Sequence, residues 1–400
     1  MDKDWKQFLL LIVINLFVGS MVGLERSVFP PLAQQEFNLT SEGAVIAFLI
    51  SFGIGKVLGN LLSGGLADRF GRRPVLLAGW CFGVPVPLTM IFAPSWGWVL
   101  GANVLLGINQ GLCWSMTVIM KIDLAGKKRR GIATALNEWA GYGGVAMAAA
   151  GTGYLAQSHG LWPTPFFPGI GIALAGLSLS FFASETANRT GTETQGAHAG
   201  KPSFFHLFAL ASWKDRTLIA ANQAGLITNF KDGAMWGLAP LYLAQNELNP
   251  AQIGTVTAVY PAIWGFVQLA AGPLSDQWGR KWLIFSGMLL QGFGLGFFVL
   301  STHFWQWTAA AALLGLGTAL VYPTLQAAVA DRAENSWRAS SLGIYRLWRD
   351  SGYVLAGAGV GIAANFFDIR LSLGIVAGLS VVSGLVISAL MKETLWKDGS

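Results

Sequence analysis

The sequence predicts an all-α integral membrane protein, with twelve transmembrane helices arranged as two pseudo-symmetric six-helix bundles. Three observations predict this fold class. The first is composition, because 53% of the 400 residues are hydrophobic and 12% are charged, whereas a soluble domain carries about 25% charged residues. The second is a series of apolar runs long enough to cross a bilayer. The third is an internal repeat that matches one half of the chain to the other.

Apolar runs of about 20 residues, the length that a helix needs to cross a bilayer, occur twelve times. The 51 glycines and 17 tryptophans fit a membrane chain, because Gly is frequent in membrane helices and Trp collects at their interfaces. The first run resembles a signal peptide but lacks an A-x-A-like cleavage site, so we predict a retained first helix. Numbered one to twelve, the predicted spans are 8–29, 43–66, 74–94, 97–122, 131–156, 164–184, 217–244, 252–274, 282–302, 305–330, 338–365 and 369–391.

Lys and Arg are distributed unevenly among the connections. The termini and the even-numbered connections hold most of the 26 Lys and Arg residues, whereas the opposite side of the membrane has Arg370 alone, at the start of span twelve. Because cytoplasmic loops carry the excess of Lys and Arg, both termini are predicted to be cytoplasmic. The net charge of +6 therefore indicates topology, and no nucleic-acid partner is predicted. The basic residues on the cytoplasmic side are Lys3, Lys6, Arg69, Arg72, Arg73, Lys127, Lys128, Arg129, Arg130, Arg189, Lys201, Lys214, Arg216, Arg280, Lys281, Arg332, Arg338, Lys392 and Lys397.

The longest hydrophilic segment lies between spans six and seven. This segment, 185–203, is rich in Thr, Gly and Ala and has little apolar surface to bury, which is typical of a flexible linker. The sequence therefore predicts an N-terminal six-helix bundle over 1–184, a cytoplasmic linker over 185–215 and a C-terminal six-helix bundle over 216–400.

A shift of 208 residues aligns the two halves without gaps over a long stretch. The segment GGLADRFGRRP, 64–74, falls on GPLSDQWGRKW, 272–282, and the LLG at 105–107 falls on the LLG at 313–315. One offset across four helices indicates a duplicated six-helix unit, whose halves are related by an axis along the membrane normal. The charged and glycine pairs on this offset are Asp68 and Asp276, Gly71 and Gly279, Arg72 and Arg280, Arg73 and Lys281, Asp123 and Asp331, and Arg130 and Arg338.

The repeated turn, the twelve spans, the cytoplasmic termini and the central linker together resemble the major facilitator superfamily over the whole chain. The resemblance implies two bundles that rock about a central cavity and open it to each side of the membrane in turn. It also implies a cytoplasmic latch in the outward-open state. The predicted latch residues are Asp68, Arg69, Gly71, Arg72, Arg73, Asp123, Asp276, Gly279, Arg280 and Asp331.

Within this latch, Asp68 is expected at the N-terminal end of span eleven, where the helix dipole favours a carboxylate by about 0.3–1 kcal/mol. By the repeat, Asp276 is expected to face span five. The resemblance also implies two ion pairs within the halves. Positive-inside anchoring alone would explain the arginines but not Asp68. The implied ion pairs are Arg72–Asp123 and Arg280–Asp331.

Nine charged residues inside the predicted spans are singled out. A charge at the bilayer centre costs about 2.5–3.5 kcal/mol on insertion scales, so these residues must be paired or face a wet cavity. They are functional candidates by default, with structural pairing or snorkelling as the alternative. The predicted proton-coupling acids are Glu25 and Glu138, followed by Asp232 and Asp350. The predicted substrate-cavity residues are Arg26, Lys56, Lys231, Arg346, Arg349, Asn109, Asn137 and Tyr345.

Spans one and seven each contain two adjacent charges of opposite sign. Neighbours in sequence project about 100° apart on a helix, so neither couplet is expected to neutralise itself. We predict ion pairs between the bundles instead, with direct substrate binding by Arg26 and Asp232 as the alternative. The predicted pairs are Glu25–Lys231 and Arg26–Asp232 on the outer side, and Lys56–Asp350 at mid-depth.

Other patterns are less specific. Many proton-coupled exporters carry an Arg in span four and end a span-five motif in Gly-Pro, but this chain has Asn103 at the first place and no proline within 141–153. Both differences weaken a drug-exporter assignment. Cys113, Met116 and Met120 share a helix face with ligands suited to Cu(I), although ordinary packing explains them better. No metal, no cofactor and no nucleophile–base pattern is predicted, so the chain is not expected to be an enzyme.

The sequence therefore predicts a secondary active transporter of a small organic solute that works by alternating access. Proton coupling, by symport or antiport, is expected because carboxylates in a cavity can titrate as access alternates. Interior basic residues outnumber acids five to four, which favours an anionic or zwitterionic substrate. The alternatives are multidrug or metabolite efflux by proton antiport and, less strongly, a channel or a non-transporting receptor. A monomer in the bacterial inner membrane is expected.

Overall fold

The computed structural model describes residues 2–126, 130–186, 204–334 and 337–395, and the regular structure of these residues is helical. Helices lie at all twelve predicted spans, which confirms the predicted fold class. Much of the predicted linker lies outside the described residues. So do six of the basic residues assigned to the cytoplasmic side, which are Lys127, Lys128, Arg129, Arg189, Lys201 and Lys397.

Two spans of the N-terminal bundle are broken by proline. Span one is α1 followed by α2, and span three is α4 followed by α5; both α2 and α5 carry proline in their first turn. Proline fits this position because the N–H that it lacks has no partner in the first turn of a helix. The helices are α1 (Asp2–Arg26), α2 (Phe29–Gln35), α3 (Glu42–Phe70), α4 (Arg72–Gly83), α5 (Pro85–Ile91), α6 (Trp96–Ala125), α7 (Arg130–His159) and α8 (Phe167–Phe181).

The C-terminal bundle repeats this order with unbroken helices. The short α9 and the π-helical turn Leu210–Lys214 precede it. Asp215 then caps the first long helix, because its carboxylate accepts hydrogen bonds from the backbone N–H groups of Thr217 and Leu218, both at 3.0 Å. The helices are α9 (Phe204–Ala209), α10 (Arg216–Gln245), α11 (Pro250–Trp278), α12 (Arg280–Leu300), α13 (Phe304–Arg332), α14 (Arg338–Phe366) and α15 (Ile369–Leu390).

The spans differ in polarity. Among the described residues, eight helical segments are long and apolar enough to cross a membrane by length and composition alone. The four spans outside this group are α6, α7, α10 and α14. Each of these four helices contributes residues to the central cavity, and α10 also carries the buried charges Lys231 and Asp232. Their lower apolarity therefore reflects polar side chains that face the protein interior and not the lipid.

The two bundles meet along α3 and α14 and along α7 and α11. Their outer ends are in close contact, because a Cβ on Gly153 would lie 2.7 Å from the Cα of Gly254 and one on Gly361 would lie 3.0 Å from the Cα of Gly43. At the cytoplasmic end of α3, in contrast, Asp68 is exposed. The bundles are therefore joined on the outer side and separated on the cytoplasmic side, which is an inward-open conformation.

Candidate substrate cavity

A cavity of about 860 Å³, its open mouth included, lies between the bundles. Its residues run from mid-depth to the cytoplasmic side: Thr134 is one turn from the start of α7, and Gln326 is less than two turns from the end of α13. Its outer limit is formed by residues of α1, α3, α10 and α14. The lining residues are Val22, Arg26, Phe52, Lys56, Asn60, Gln110, Trp114, Ser115, Val118, Ile119, Thr134, Glu138, Tyr142, Val145, Trp236, Tyr322, Gln326, Arg346, Arg349 and Tyr353.

Five of the residues predicted as site residues from the sequence line this cavity. They are four cations and one acid, and they come from α1, α3 and α7 of one bundle and α14 of the other. Other predicted residues lie behind the cavity surface, where Glu25, Lys231, Asp232 and Asp350 are all buried. The five lining residues are Arg26, Lys56, Glu138, Arg346 and Arg349.

Three predicted cavity residues lie elsewhere, so for this conformation those predictions are wrong. Asn109 faces α4, where its amide donates a hydrogen bond of 3.0 Å to the carbonyl oxygen of Gly79. Asn137 is buried beside Glu138 and supports that side chain from behind. Tyr345 is buried against α10, because a Cβ on Gly225 would lie 2.7 Å from its ring. Helical periodicity alone did not distinguish the faces of α6 and α14.

The adjacent opposite charges pair within each couplet, so the predicted pairs between the bundles are wrong. The ion pair between Arg26 and Glu25 is 3.1 Å long, and that between Lys231 and Asp232 is 2.8 Å long. The outer side is closed here, which is the state in which the predicted cross-bundle pairs should have formed. Long flexible side chains overcome the angle of about 100° between neighbouring positions, and each couplet neutralises itself.

Lys231 and Asp232 belong to a buried polar cluster in the C-terminal bundle. The Lys231 ammonium donates hydrogen bonds of 2.7 Å to the hydroxyls of Tyr260 and Thr318. The Tyr260 hydroxyl in turn donates to the Asp232 carboxylate. All four side chains are essentially inaccessible to solvent. The cluster joins α10, α11 and α13 and does not reach the cavity, so its charges are structural in this conformation.

Arg26 lies at the outer limit of the cavity and is fully buried. Its guanidinium carbon lies 3.9 Å from the centre of the Trp236 ring and 5.1 Å from the centre of the Phe52 ring. Apart from the ion pair with Glu25, its guanidinium nitrogens have no hydrogen-bond partner in the described part of the chain. Arg26 therefore joins the two bundles by a cation–π contact, since Trp236 belongs to α10.

The predicted Lys56–Asp350 ion pair is also wrong for this conformation. The Asp350 carboxylate pairs with Arg349 at 2.8 Å and accepts hydrogen bonds from Asn60 at 2.8 Å and from Asn229 at 3.3 Å. The Lys56 ammonium lies instead over an aromatic ring of α14, 4.8 Å from its centre, and makes no ion pair with any described residue. The nearby arginine has satisfied the acid, which leaves Lys56 facing the cavity as a free cation.

Glu138 is the acid on the cavity wall. Its Oε1 atom accepts hydrogen bonds from the indole N–H of Trp114 at 2.7 Å and from the amide of Asn137 at 3.2 Å. Its Oε2 atom has no hydrogen-bond partner among the described residues. One oxygen thus fixes the side chain while the other is available to a proton or a ligand.

Sequence reasoning missed the aromatic lining of the cavity and one buried cation. Tyr142 of α7 stacks on Trp264 of α11 with ring centres 3.6 Å apart, which joins the bundles at mid-depth. Lys121 lies within predicted span four, is fully buried and donates a hydrogen bond of 3.1 Å to the carbonyl oxygen of Leu11. Lys121 could have been found by counting every charge in the spans, whereas the aromatic set has no local spacing signal. The lining aromatic residues are Phe52, Trp114, Tyr142, Trp236, Tyr322 and Tyr353.

The cytoplasmic turns form the two ion pairs that the sequence predicted within the bundles. Arg72 pairs with Asp123 at 2.7 Å and Arg280 pairs with Asp331 at 3.0 Å. Within the described residues, the predicted contact between Asp276 and span five is not found, and the exposed Asp276 pairs with Arg280 at 2.7 Å. Asp68 and Asp276 are both exposed, so neither is buried against the other bundle in this conformation.

A second acid in each half completes these turns and was missed. Gly71 and Gly279 have φ angles of 90° and 96°, a region open to glycine, and they let the chain turn sharply into α4 and α12. Glu185 accepts hydrogen bonds from the backbone N–H groups of Arg72 at 3.1 Å and Arg73 at 3.0 Å. Glu393 lies 208 residues later and does the same at the other turn. The repeat therefore extends to the end of each bundle.

Glu393 carries a pH dependence that can be measured. Partial burial acts to raise the pKa of Glu393, but hydrogen bonds from the backbone N–H groups of Leu395, Arg280, Lys281 and Thr394 outweigh it and hold the pKa below the ordinary value of 4.5. A lowered pKa in the folded state means that the carboxylate stabilises the fold above pH 4.5 and that this stabilisation is lost as the pH falls through the lowered pKa.

Replacing Glu393 by Gln is therefore expected to destabilise the protein at pH 7 by about 1 kcal/mol, the usual cost of a lost helix cap. The difference from the wild type should shrink as the pH falls below 4.5, measured by thermal unfolding in detergent. Glu185→Gln should also destabilise the protein at pH 7, because Glu185 accepts the equivalent hydrogen bonds. Glu36→Gln, which alters an exposed acid, is the matched control. A deficit that stays constant with pH would contradict the assignment to the carboxylate.

Comparison with known proteins agrees with the geometry. Two six-helix bundles around a polar central cavity that is open on one side define a membrane transporter of the alternating-access type. A family model described as the Major Facilitator Superfamily matches residues 9–230 and 222–395. The chain belongs to this superfamily. Family membership confirms that it is a transporter and not an enzyme.

The relatives are distant but cover nearly the whole chain. An MFS-type transporter of Salmonella typhimurium strain LT2 is 22% identical over 93% of this chain and 93% of its own. The multidrug resistance protein MdtG of Enterobacter lignolyticus strain SCF1 is 23% identical over 91% of this chain and 87% of its own. These matches confirm the predicted localisation as a multi-pass protein of the bacterial inner membrane.

Solved structures match the fold over almost the full length. A mutant of the nucleoside transporter NupG aligns with a TM-score of 0.79 at 14% identity and covers 96% of this chain and all of that one. The xylose transporter XylE from E. coli, in a partially occluded inward-open conformation, aligns with a TM-score of 0.78 at 16% identity and covers 99% of this chain and all of that one. At these identities the likeness concerns the fold alone.

Proposed function

We propose that this protein moves a small organic anion or zwitterion across the membrane by alternating access, coupled to protons. The observation that carries the proposal is the charge of the cavity wall, where four cations face one acid. Charges are expensive inside a membrane protein unless they are paired or serve a ligand. A cavity with surplus cations favours ligands that carry negative charge.

The four cations of the cavity wall differ in whether they form an ion pair. Arg26 and Arg349 are each neutralised by an adjacent acid. Lys56 of α3 and Arg346 of α14 make no ion pair with any described residue, and both line the cavity. The free cations therefore come one from each bundle. An anion that binds both would hold the bundles together around itself, as alternating access requires.

Proton coupling rests on Glu138 and Glu25. A carboxyl group that is exposed to each side in turn can take up a proton from one compartment and release it to the other. Glu138 faces the cavity with an oxygen that has no hydrogen-bond partner among the described residues, whereas Glu25 is paired with Arg26 above the cavity. We propose Glu138 as the group that exchanges protons with the cytoplasm in this conformation, with Glu25, Asp232 and Asp350 as the further candidates.

The domain limits and the latch are part of the same proposal. The bundles 1–184 and 216–400 would move as units joined by the linker, and the protein would act as a monomer. When the cytoplasmic side closes, Asp68 would approach the N-terminal end of α14 and α11 would approach α7. The exposed position of Asp68 in the inward-open state supports this proposal.

Uptake into proteoliposomes tests the function. With radiolabelled benzoate, glutarate or gluconate as the probe and an imposed proton gradient, the wild type is expected to concentrate at least one anion. Arg346→Gln should lower uptake at least about tenfold because a free cation of the cavity is lost, which is a change of about 1.4 kcal/mol in binding. Arg370→Gln, which removes an exposed arginine at the outer side, should keep wild-type uptake. Equal uptake by both variants would contradict an anion site at Arg346.

Multidrug efflux by proton antiport is the second candidate. It is favoured by the relatives named multidrug resistance proteins and by the six aromatic rings on the cavity wall, which suit flat apolar cations. Under this alternative, Glu138 would bind the cation. Transport of tetraphenylphosphonium with proton release, and no transport of the three anions, would replace the anion proposal with this one.

A further inference from the structure

We infer that the anion and the proton bind in the cavity together, with the proton on Glu138, so that the protein is a proton–anion symporter and not an antiporter. This inference rests on the proposed anionic substrate and adds the direction of coupling. It follows from the composition of the cavity wall, which carries both an acid and cations without ion-pair partners among the described residues.

The surroundings of Glu138 determine whether its charge attracts or repels a bound anion. Its carboxyl group lines the same cavity as the free cations Lys56 and Arg346. No ion pair joins Glu138 to a described cation, and within the described ranges its hydrogen bonds come from the neutral groups of Trp114 and Asn137. An ionised Glu138 would therefore repel an anion that docks on the cations, because its negative charge lies on the wall of the same cavity.

Four charged or polar groups on the helices that pack against α7 are engaged with partners other than Glu138. From α6, Lys121 is buried and bonded to a backbone carbonyl on α1. From α1, Glu25 and Arg26 neutralise each other. From α11, Tyr260 bonds to the buried cluster and not to α7. None of these described groups forms an ion pair with Glu138.

Two further groups lie near Glu138, Arg349 on α14 across the cavity and Tyr142 one turn further along α7. Arg349 is engaged by Asp350 and by the hydroxyl of Tyr322. Tyr142 also lies near Glu138 and is neutral at ordinary pH. Glu138 is thus the acid on the wall whose charge a bound anion feels without a neutralising partner among the described residues.

Thermodynamic linkage converts this repulsion into coupling. Protonation of Glu138 removes a negative charge from the cavity and strengthens anion binding by some factor. A bound anion must then strengthen proton binding by the same factor. The fully loaded carrier holds both ligands, and an empty or fully loaded cavity is favoured over one that holds the anion beside an ionised acid. A carrier that moves across with both ligands bound transports them in the same direction, which is symport.

An antiporter needs the opposite arrangement. There the substrate and the proton compete for one acid, so the substrate must carry positive charge or occupy the acid directly. The Oε2 atom of Glu138, unpartnered within the described ranges, would suit a substrate ammonium, so a zwitterion bound through Glu138 would displace the proton. The two cases therefore differ in the sign of proton exchange on binding.

The experiment measures whether the purified full chain takes up or releases protons when it binds an anion. Benzoate, glutarate and gluconate are first tested for stabilisation by thermal shift, and the best binder is then added to the protein in weak buffer with a pH indicator dye. Proton uptake approaching one per bound anion is expected. The affinity should fall about tenfold per pH unit where Glu138 is ionised, as linkage to one proton requires.

Variants assign the proton. Glu138→Gln should bind the anion as tightly as the protonated wild type, with no proton uptake and no pH dependence, while Glu36→Gln should match the wild type. Proton release on anion binding, or an affinity independent of pH in the wild type, would overturn symport even if Glu138→Gln failed to fold. Proton uptake on anion binding that persists in a folded Glu138→Gln protein would overturn the assignment of the proton to Glu138.

Failure of the proposed function would look different. In that case the three anions would leave the thermal unfolding unchanged and tetraphenylphosphonium would stabilise the protein, which would overturn the anionic substrate and the symport inference with it. Anion binding accompanied by proton release would leave the proposed substrate class standing and remove the symport inference alone.

Discussion

Lys231→Met is expected to destabilise the protein by about 3–5 kcal/mol, the cost of leaving a buried charge without its partner. Lys231 and Asp232 are inaccessible to solvent, and their ion pair of 2.8 Å lies inside the C-terminal bundle. Removal of the lysine would leave the Asp232 carboxylate with one hydroxyl donor, Tyr260. The same change would leave Thr318 without the ammonium that it accepts from.

The double variant Lys231→Met with Asp232→Asn separates charge from packing. Replacing both members of a buried ion pair by neutral groups is often close to neutral for stability, and Asn retains an acceptor for the Tyr260 hydroxyl. We expect the double variant to recover most of the loss, measured by thermal unfolding in detergent and by the yield of folded protein. Lys6→Met, which alters an exposed lysine, is the control. A double variant as unstable as the single one would contradict the electrostatic account.

The ion pairs between the bundles that the sequence predicted lead to a different expectation. The pairs Glu25–Lys231 and Arg26–Asp232 would have predicted rescue by a charge swap between the bundles. The structure predicts no such rescue, since each couplet is already neutral. Exchange of Arg26 and Asp232 would instead leave Glu25 beside a second acid and Lys231 beside a second cation.

The fold was predictable from the sequence because the bilayer sets the length of each span. Apolar runs of about 20 residues found all twelve spans, and the offset of 208 residues paired the two halves. Side-chain direction was harder to predict. Asn109 was assigned to the cavity but faces α4, because both faces of α6 are apolar enough to be buried and periodicity cannot separate them.

The sequence also could not show which charged residues form ion pairs with each other. Asp350 has Arg349 beside it in the chain and Lys56 across the interface, and only the packed structure decides that the arginine takes the acid. The aromatic lining was invisible for the same reason, since Tyr142 and Trp264 meet only because α7 packs on α11. The charged turns were found because they repeat, and Glu185 could have been found by extending that repeat to Glu393.

The contact between Arg26 and Trp236 makes a second large effect predictable, because it joins the bundles only while the outer side is closed. The guanidinium of Arg26 lies 3.9 Å from the centre of the Trp236 ring. Trp236 stacks on Tyr353 with ring centres 5.4 Å apart, and Tyr353 meets Phe52 at 5.9 Å. Arg26 and Phe52 belong to one bundle and the other two residues to its partner. These four side chains therefore close the cavity toward the outside.

Trp236→Leu is expected to shift the protein toward the outward-open state. A desolvated cation–π contact is worth about 2 kcal/mol, which corresponds to a roughly 30-fold change in an equilibrium constant. The population is measured by labelling a cysteine in place of Ile46, which is buried under the outer closure beside Gly237, with a membrane-impermeant maleimide. The background variant has Cys81→Ser and Cys113→Ala.

Labelling should be much faster in Trp236→Leu than in the background, and Trp236→Phe should be intermediate because it keeps a weaker aromatic face. Trp98→Leu, which removes an exposed tryptophan near the outer end of α6, is the matched control and should label at the background rate. If Trp236→Leu labels no faster than Trp98→Leu, the outer side is held shut elsewhere. The close glycine contacts between α7 and α11 would then be the structure that keeps it closed, since they join the same two bundles without Arg26.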